Sequence, residues 1–91
     1  MALDLLTTTA FERDLRRVKK QGKNLDKLER VVDLLQEQRP LPPRCRPHPL
    51  RGNWSGHWDC HVDPDWLLLY RLTPENLILV RTGTHAELFQ S

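Results

Sequence analysis

Two periods of hydrophobicity divide this chain. Over its first third, apolar residues recur every three or four positions: Phe11, Leu15 and Val18, then Leu25, Leu28, Val31, Val32 and Leu35. That spacing lays each set along one stripe of an α-helix. Later the apolar residues come in short blocks, residues 66–72 and 77–80, bounded by turn formers and suited to strands. Thr73, Pro74, Glu75 and Asn76 separate the blocks, and a proline early in such a loop predicts a hairpin turn.

Polar punctuation supplies the boundaries. Thr9, followed three residues on by Glu12, matches a capping box at the start of the first helix. Gly22 suits that helix's left-handed exit, Asn24 the cap of the second, and Pro40 its end. Residues 3–7 read as a short strand ahead of the helices. Residues 41–49 contain four prolines and predict an extended connector without helix. Residues 50–56 and 57–62 read as two further strands, broken by a Gly-Asn-Trp-Ser-Gly turn region. The expected fold class is α+β, a strand, a helical hairpin and three or four antiparallel strands, with both helices laid on one face of the sheet.

A chain of 91 residues makes one domain, residues 1–91. A domain of this size buries only about 60–65% of its unfolded surface, so each large apolar residue matters to the core. The net charge of +2 is mild, but residues 16–23 hold Arg16, Arg17, Lys19, Lys20 and Lys23 without an acid. Such a run faces either phosphate or plain water, and nearby Glu12, Asp14, Asp26 and Glu29 leave both readings open. Two cysteines make no disulfide framework, and no secretory or membrane-spanning stretch is visible, so the expected setting is the reducing cytoplasm, with no membrane partner.

Metal chemistry fits poorly. Cys45 with His48 and the adjacent Cys60 and His61 offer zinc-compatible atoms, but neighbours on a strand point to opposite faces. Asp59, Asp63 and Asp65 suggest magnesium, yet the last two flank Pro64 as ordinary turn formers do. Acid–base chemistry fits better. Four histidines lie between positions 48 and 85, and three of them, His48, His61 and His85, sit on stiff or turn-forming backbone. Imidazole titrates near neutrality and serves as either base or acid. If the two last strands pair antiparallel, His61 and Asp65 fall near Arg81 and His85. Two positioned proton transfers and a cation would suffice to cleave RNA, whose 2′-hydroxyl is a built-in nucleophile. Trp66 and Phe89 are placed either to stack a base or to close the core.

The ordered elements His48-Pro49-Leu50-x-Gly52-x-Trp54-x-Gly56, Asp59-x-His61-Val62-x-Pro64-Asp65-Trp66-x-Leu68-x-Tyr70 and Arg81-Thr82-Gly83-Thr84-His85-x-x-Leu88-Phe89 resemble the YafQ branch of the RelE/ParE toxin superfamily. The resemblance implies a RelE-like fold with a curved, mainly antiparallel sheet. It implies the toxin of a type II toxin–antitoxin pair, a ribosome-dependent mRNA endoribonuclease working without cofactor or metal. The family's functional positions fall on His48, His61, Asp65, His85 and Phe89, with Trp66 beside them. Asp65 is then expected to orient or charge a histidine, and His48 and Arg81 to meet phosphate. Residues Arg16, Arg17, Lys19, Lys20 and Lys23 become candidate ribosomal-RNA contacts. The implied protein partner is a small antitoxin with a DNA-binding end, reaching operator DNA only through that antitoxin. The competing expectation is a non-catalytic toxin that inhibits gyrase, as on the ParE side, or a purely regulatory relative.

Overall fold

The computed structural model describes residues 2–89. Strand β1 (Asp4–Thr7) leads into helices α1 (Thr9–Lys20) and α2 (Leu25–Gln36), then β2 (His48–Pro49), β3 (Trp58–Asp63), β4 (Trp66–Leu72) and β5 (Asn76–Gly83), with a short α3 (His85–Leu88) at the end. The strands form one five-stranded sheet in the order β1-β5-β4-β3-β2. β1 runs parallel to β5, and the other three pairs are antiparallel.

Both long helices lie on one face. Phe11 and Val18 of α1 and Leu28, Val31, Val32 and Leu35 of α2 pack onto Cys60, Val62, Trp66, Leu68, Tyr70, Leu77 and Leu79 of the sheet. A smaller cluster covers the opposite face, where Leu67, Leu69 and Leu88 meet Leu50, Trp54, Val80 and Phe89. β4 therefore runs between two apolar layers. Its unbroken block from Trp66 to Tyr70 is the signature of a strand buried on both sides.

The helix starts show what capping chemistry selects. Asn24 caps α2 as expected, its side chain accepting from the Asp26 N–H. The cap of α1 is Thr8 and not Thr9. Thr8 Oγ1 accepts from the Phe11 N–H at 3.0 Å and donates to the Val80 carbonyl at 2.7 Å. One hydroxyl thus starts the helix and ties it to β5, which Thr9 cannot reach.

Two further expectations change. Residues 50–56 form no strand. His48 and Pro49 pair with Asp59 and Trp58 instead, and Gly52–Trp54 make a single 3₁₀ turn. Gly52 and Gly56 both adopt positive φ, +66° and +86°, which breaks any ladder there. The connector is also not wholly extended: Pro43–Cys45 form one 3₁₀ turn, with proline at the position that needs no N–H and Cys45 buried.

Candidate active site

The site grows from strand register. Asp59 and His61 stand two apart on β3 and so share the face away from the helices. His61 is opposite Leu67 of β4, and Leu67 is opposite Gly83 of β5. At Gly83 the strand stops and Thr84 caps α3 by a full capping box. Glu87 N–H donates to Thr84 Oγ1 at 3.1 Å, and the Glu87 carboxylate accepts from Thr84 N–H at 2.8 Å. This places His85 at the first helical position, over the loop between β3 and β4. There one carboxylate oxygen of Asp65 lies 2.9 Å from His85 Nδ1 and accepts from the His85 N–H at 3.3 Å. The His61 and His85 ring centroids are 5.7 Å apart.

The fourth corner comes from β2. His48 faces Asp59 across the strand pair, with Nδ1 3.0 Å from Asp59 Oδ1. Nδ1 is also 3.1 Å from the Arg46 carbonyl, and it is that hydrogen bond whose geometry closes. Asp59 Oδ1 thus receives no aligned hydrogen bond among the described residues. Burial pushes the Asp59 carboxyl up, and the charges of His48, His61 and His85 only partly pull it back. At exposed Asp65 the bonds from the His85 ring and backbone hold the carboxyl low. Phe89 closes α3, half-buried, in edge contact with Trp54 at 6.1 Å.

His61, Asp65 and His85 therefore come together as the antiparallel pairing predicts, and β2 adds His48, which that pairing does not place. Asp59, absent from the expected acid–base set, joins them. The signal for it was available, since it stands two residues before His61 on a strand.

Other expected contacts are corrected. Trp66 is 2% exposed and points to the helix side, its Nε1 donating to Thr82 Oγ1 at 2.9 Å, so it is a core residue and offers no surface for a base. Arg81 is not free for phosphate. Its Nε and Nη2 are both bonded to Asp14, a carboxylate of α1 that is itself buried. Burial pushes the Asp14 carboxyl up, but the bonds from Arg81 and the Thr82 N–H, with the Arg81 and Arg17 charges, hold it below the usual range. Of the basic run, Arg16, Lys19 and Lys20 are exposed. Arg17 is tied to Asp14 and Glu87, and Lys23 lies over the Trp66 ring at 5.8 Å. Arg13, which lies outside the basic run, joins Arg16, Arg17 and Lys20 around a shallow recess.

Among the described residues no three His, Cys, Asp or Glu side chains are grouped to hold a metal ion, and no helix is long and apolar enough to cross a membrane.

With its helical hairpin on one sheet face and imidazoles gathered with carboxylates on the other, this small α+β domain falls among the bacterial toxins of type II toxin–antitoxin systems. Within that class the chain belongs to the YafQ family: residues 3–90 match the family described as bacterial toxin of type II toxin–antitoxin system, YafQ. It is 41% identical over 87 residues to the mRNA interferase toxin YafQ of Escherichia coli K12, covering 94% of this chain and 95% of that one. The crystal structure of YafQ from E. coli BL21(DE3) superposes with a TM-score of 0.91 at 40% identity, over 96% of this chain and 98% of that one. YafQ in the E. coli DinJ–YafQ toxin–antitoxin complex superposes with a TM-score of 0.89 at 40% identity, over 98% and 99%.

Proposed function

We propose that this chain is an mRNA interferase, a cytoplasmic endoribonuclease that cuts messages on the ribosome by attack of the RNA 2′-hydroxyl on the adjacent phosphorus. The observation that carries this reading is the pairing of His85 with Asp65 beside His61 on one sheet face. An Asp65 carboxylate accepting from Nδ1–H leaves His85 Nε2 to exchange protons, in the role a buried aspartate plays for other catalytic histidines. Of the pair His61 and His85, one takes the 2′-hydroxyl proton while the other protonates the departing 5′-oxygen. The P–O5′ bond breaks as the P–O2′ bond forms, leaving a 2′,3′-cyclic phosphate and a 5′-hydroxyl. Each positioned transfer contributes about 10²–10⁴-fold.

His48, its Nδ1 3.0 Å from Asp59 Oδ1, is held where it can contact the phosphate. Phe89 positions the nucleotide at the end of α3. Arg16, Lys19 and Lys20, with Arg13, meet ribosomal RNA, and the ribosome fixes the message in an attackable geometry that so small a protein cannot impose alone. As DinJ does for E. coli YafQ, a cognate antitoxin binds this toxin. That antitoxin is a DNA-binding dimer, so the toxin reaches operator DNA only through it.

End-group analysis of messages cut on purified ribosomes tests the chemistry. Cyclic phosphate and 5′-hydroxyl ends are expected, with His85→Ala losing cleavage; 5′-phosphate and 3′-hydroxyl ends would exclude attack by the 2′-hydroxyl.

A further inference from the structure

Helix α3 is four residues long. It carries His85, yet so short a helix has no stability of its own, so something else must fix where the imidazole stands. Glu87, the third residue of the helix and the partner of Thr84 in its capping box, has one oxygen on the Thr84 N–H, and the other faces α1. There Arg17 Nε lies 3.1 Å from Glu87 Oε2, and Gln21 Nε2 donates to the same oxygen at 3.3 Å. The same guanidinium also reaches β5, where Nη2 donates to the Thr82 carbonyl at 3.1 Å, and Nη1 pairs at 3.0 Å with Asp14 on its own helix. Gly83 is where these parts meet. A Cβ there would stand 2.7 Å from Arg17 Nη2 and 2.8 Å from Glu87 Oε1, so any side chain at 83 pushes the guanidinium or the carboxylate out of its present place.

We propose that Arg17 is a positioning residue for His85, acting through Glu87 to set the register of α3 against the end of β5. This rests on the acid–base role given to His85 above, and it removes Arg17 from the RNA-contact set. The geometry explains why arginine is used. Its one aligned hydrogen bond goes to the Thr82 carbonyl while Glu87 and Asp14 are held as ion pairs, and a broad planar guanidinium faces all three at once where a lysine ammonium would not. The shift that matters is small, since the His85 N–H already spans 3.3 Å to Asp65 and a slight tilt of α3 breaks it.

Single-turnover cleavage of ribosome-bound message, with toxin in excess, separates the roles because it yields a maximal rate and a half-saturating concentration. Arg17→Met is expected to lower the maximal rate about 10- to 100-fold, as misplacement of a catalytic group does, while the half-saturating concentration changes less than about twofold. A contact to RNA behaves oppositely: the half-saturating concentration rises and its salt dependence flattens, as expected for Arg16→Ala. Partial unfolding of the variant also raises the half-saturating concentration and leaves the maximal rate alone. Glu87→Gln keeps an amide oxygen for the Thr84 N–H while discharging the tie to Arg17, so it retains the cap and still loses rate. The double variant should fall no further than Arg17→Met alone, because both changes cut one connection. A wild-type maximal rate in Glu87→Gln, or a pure affinity loss in Arg17→Met, overturns the proposal. An undiminished rate in His85→Ala overturns both it and the reading beneath it.

Discussion

Replacing Asp14 by alanine tests the largest charge commitment in the fold. The carboxylate is 2% exposed and is met by Arg81 Nε and Nη2, by Arg17 Nη1 and by the Thr82 N–H. Removing it strands the Arg81 cation and the Thr82 N–H at the end of β5 and takes one of the partners of Arg17, which keeps Glu87 and the Thr82 carbonyl. Breaking a buried ion pair from one side typically costs about 3–5 kcal/mol. Water reaches the Arg81 and Arg17 side chains, which are 27% and 35% exposed, so the lower end, about 3 kcal/mol, is expected. For a domain of this size that lowers Tm by about 12–24 °C. Thermal and urea unfolding followed by tryptophan fluorescence measures it. The pH dependence has a definite sign. The folded pKa of Asp14 is depressed, so its contribution is complete above the unfolded value near 3.9 and fades only as pH falls through the folded one. The gap between Asp14→Ala and wild type should therefore be flat from neutrality to about pH 4 and close below it. Adding Arg81→Met should recover part of the loss, since the stranded cation goes with its partner. A cost below about 1 kcal/mol, the scale of a surface pair, would refute the reasoning.

Gly83→Ala should lower stability by about 1–3 kcal/mol through overpacking and cut the cleavage rate by more than the folded fraction explains; a neutral effect would mean Arg17 and Glu87 can part freely. Asp59→Asn should lower the cleavage rate about tenfold or more while stabilising the fold at pH 7, because burial raises the Asp59 pKa and makes its charged form a cost. That gain should shrink as pH falls through the folded pKa toward the unfolded one, and urea midpoints at pH 7 and pH 4 would show it. Trp66→Phe should cost about 1–2 kcal/mol, from the lost bond to Thr82 and a small cavity, with the cleavage rate of the folded fraction unchanged; a large loss in rate would return Trp66 to the substrate.

The helical stripes, the β4–β5 hairpin and the convergence of His61, Asp65 and His85 were legible because each follows from a local period or from one antiparallel pairing. Residues 50–56 misled because their apolar Leu50 and Trp54 fit a strand, whereas the backbone at Gly52 and Gly56 takes positive φ that no hydrophobic pattern reports. In sequence Asp59 reads as a metal-ligand candidate beside Asp63 and Asp65. Counted along β3 it belongs with His61, and the two-residue period alone groups them.

The harder omission was the charge network, and its cause is topological. β1 pairs with β5 only as far as Thr7 and Leu79, leaving the edge of residues 80–83 open. A buried open edge must find other partners for its backbone. Side chains of α1 and its cap supply them: Thr8 takes the Val80 carbonyl, Asp14 the Thr82 N–H and Arg17 the Thr82 carbonyl. In sequence those residues look like a cap, an acid on an apolar stripe and one member of a basic run. Their partners lie 65 to 72 residues away, so no local rule pairs them. Asp14 alone carried a warning. It stands three residues after Phe11 and four before Val18, on the stripe that faces the core. An acid there needs cations beside it, and Arg81, next to the histidine motif, meets it together with Arg17 of its own helix.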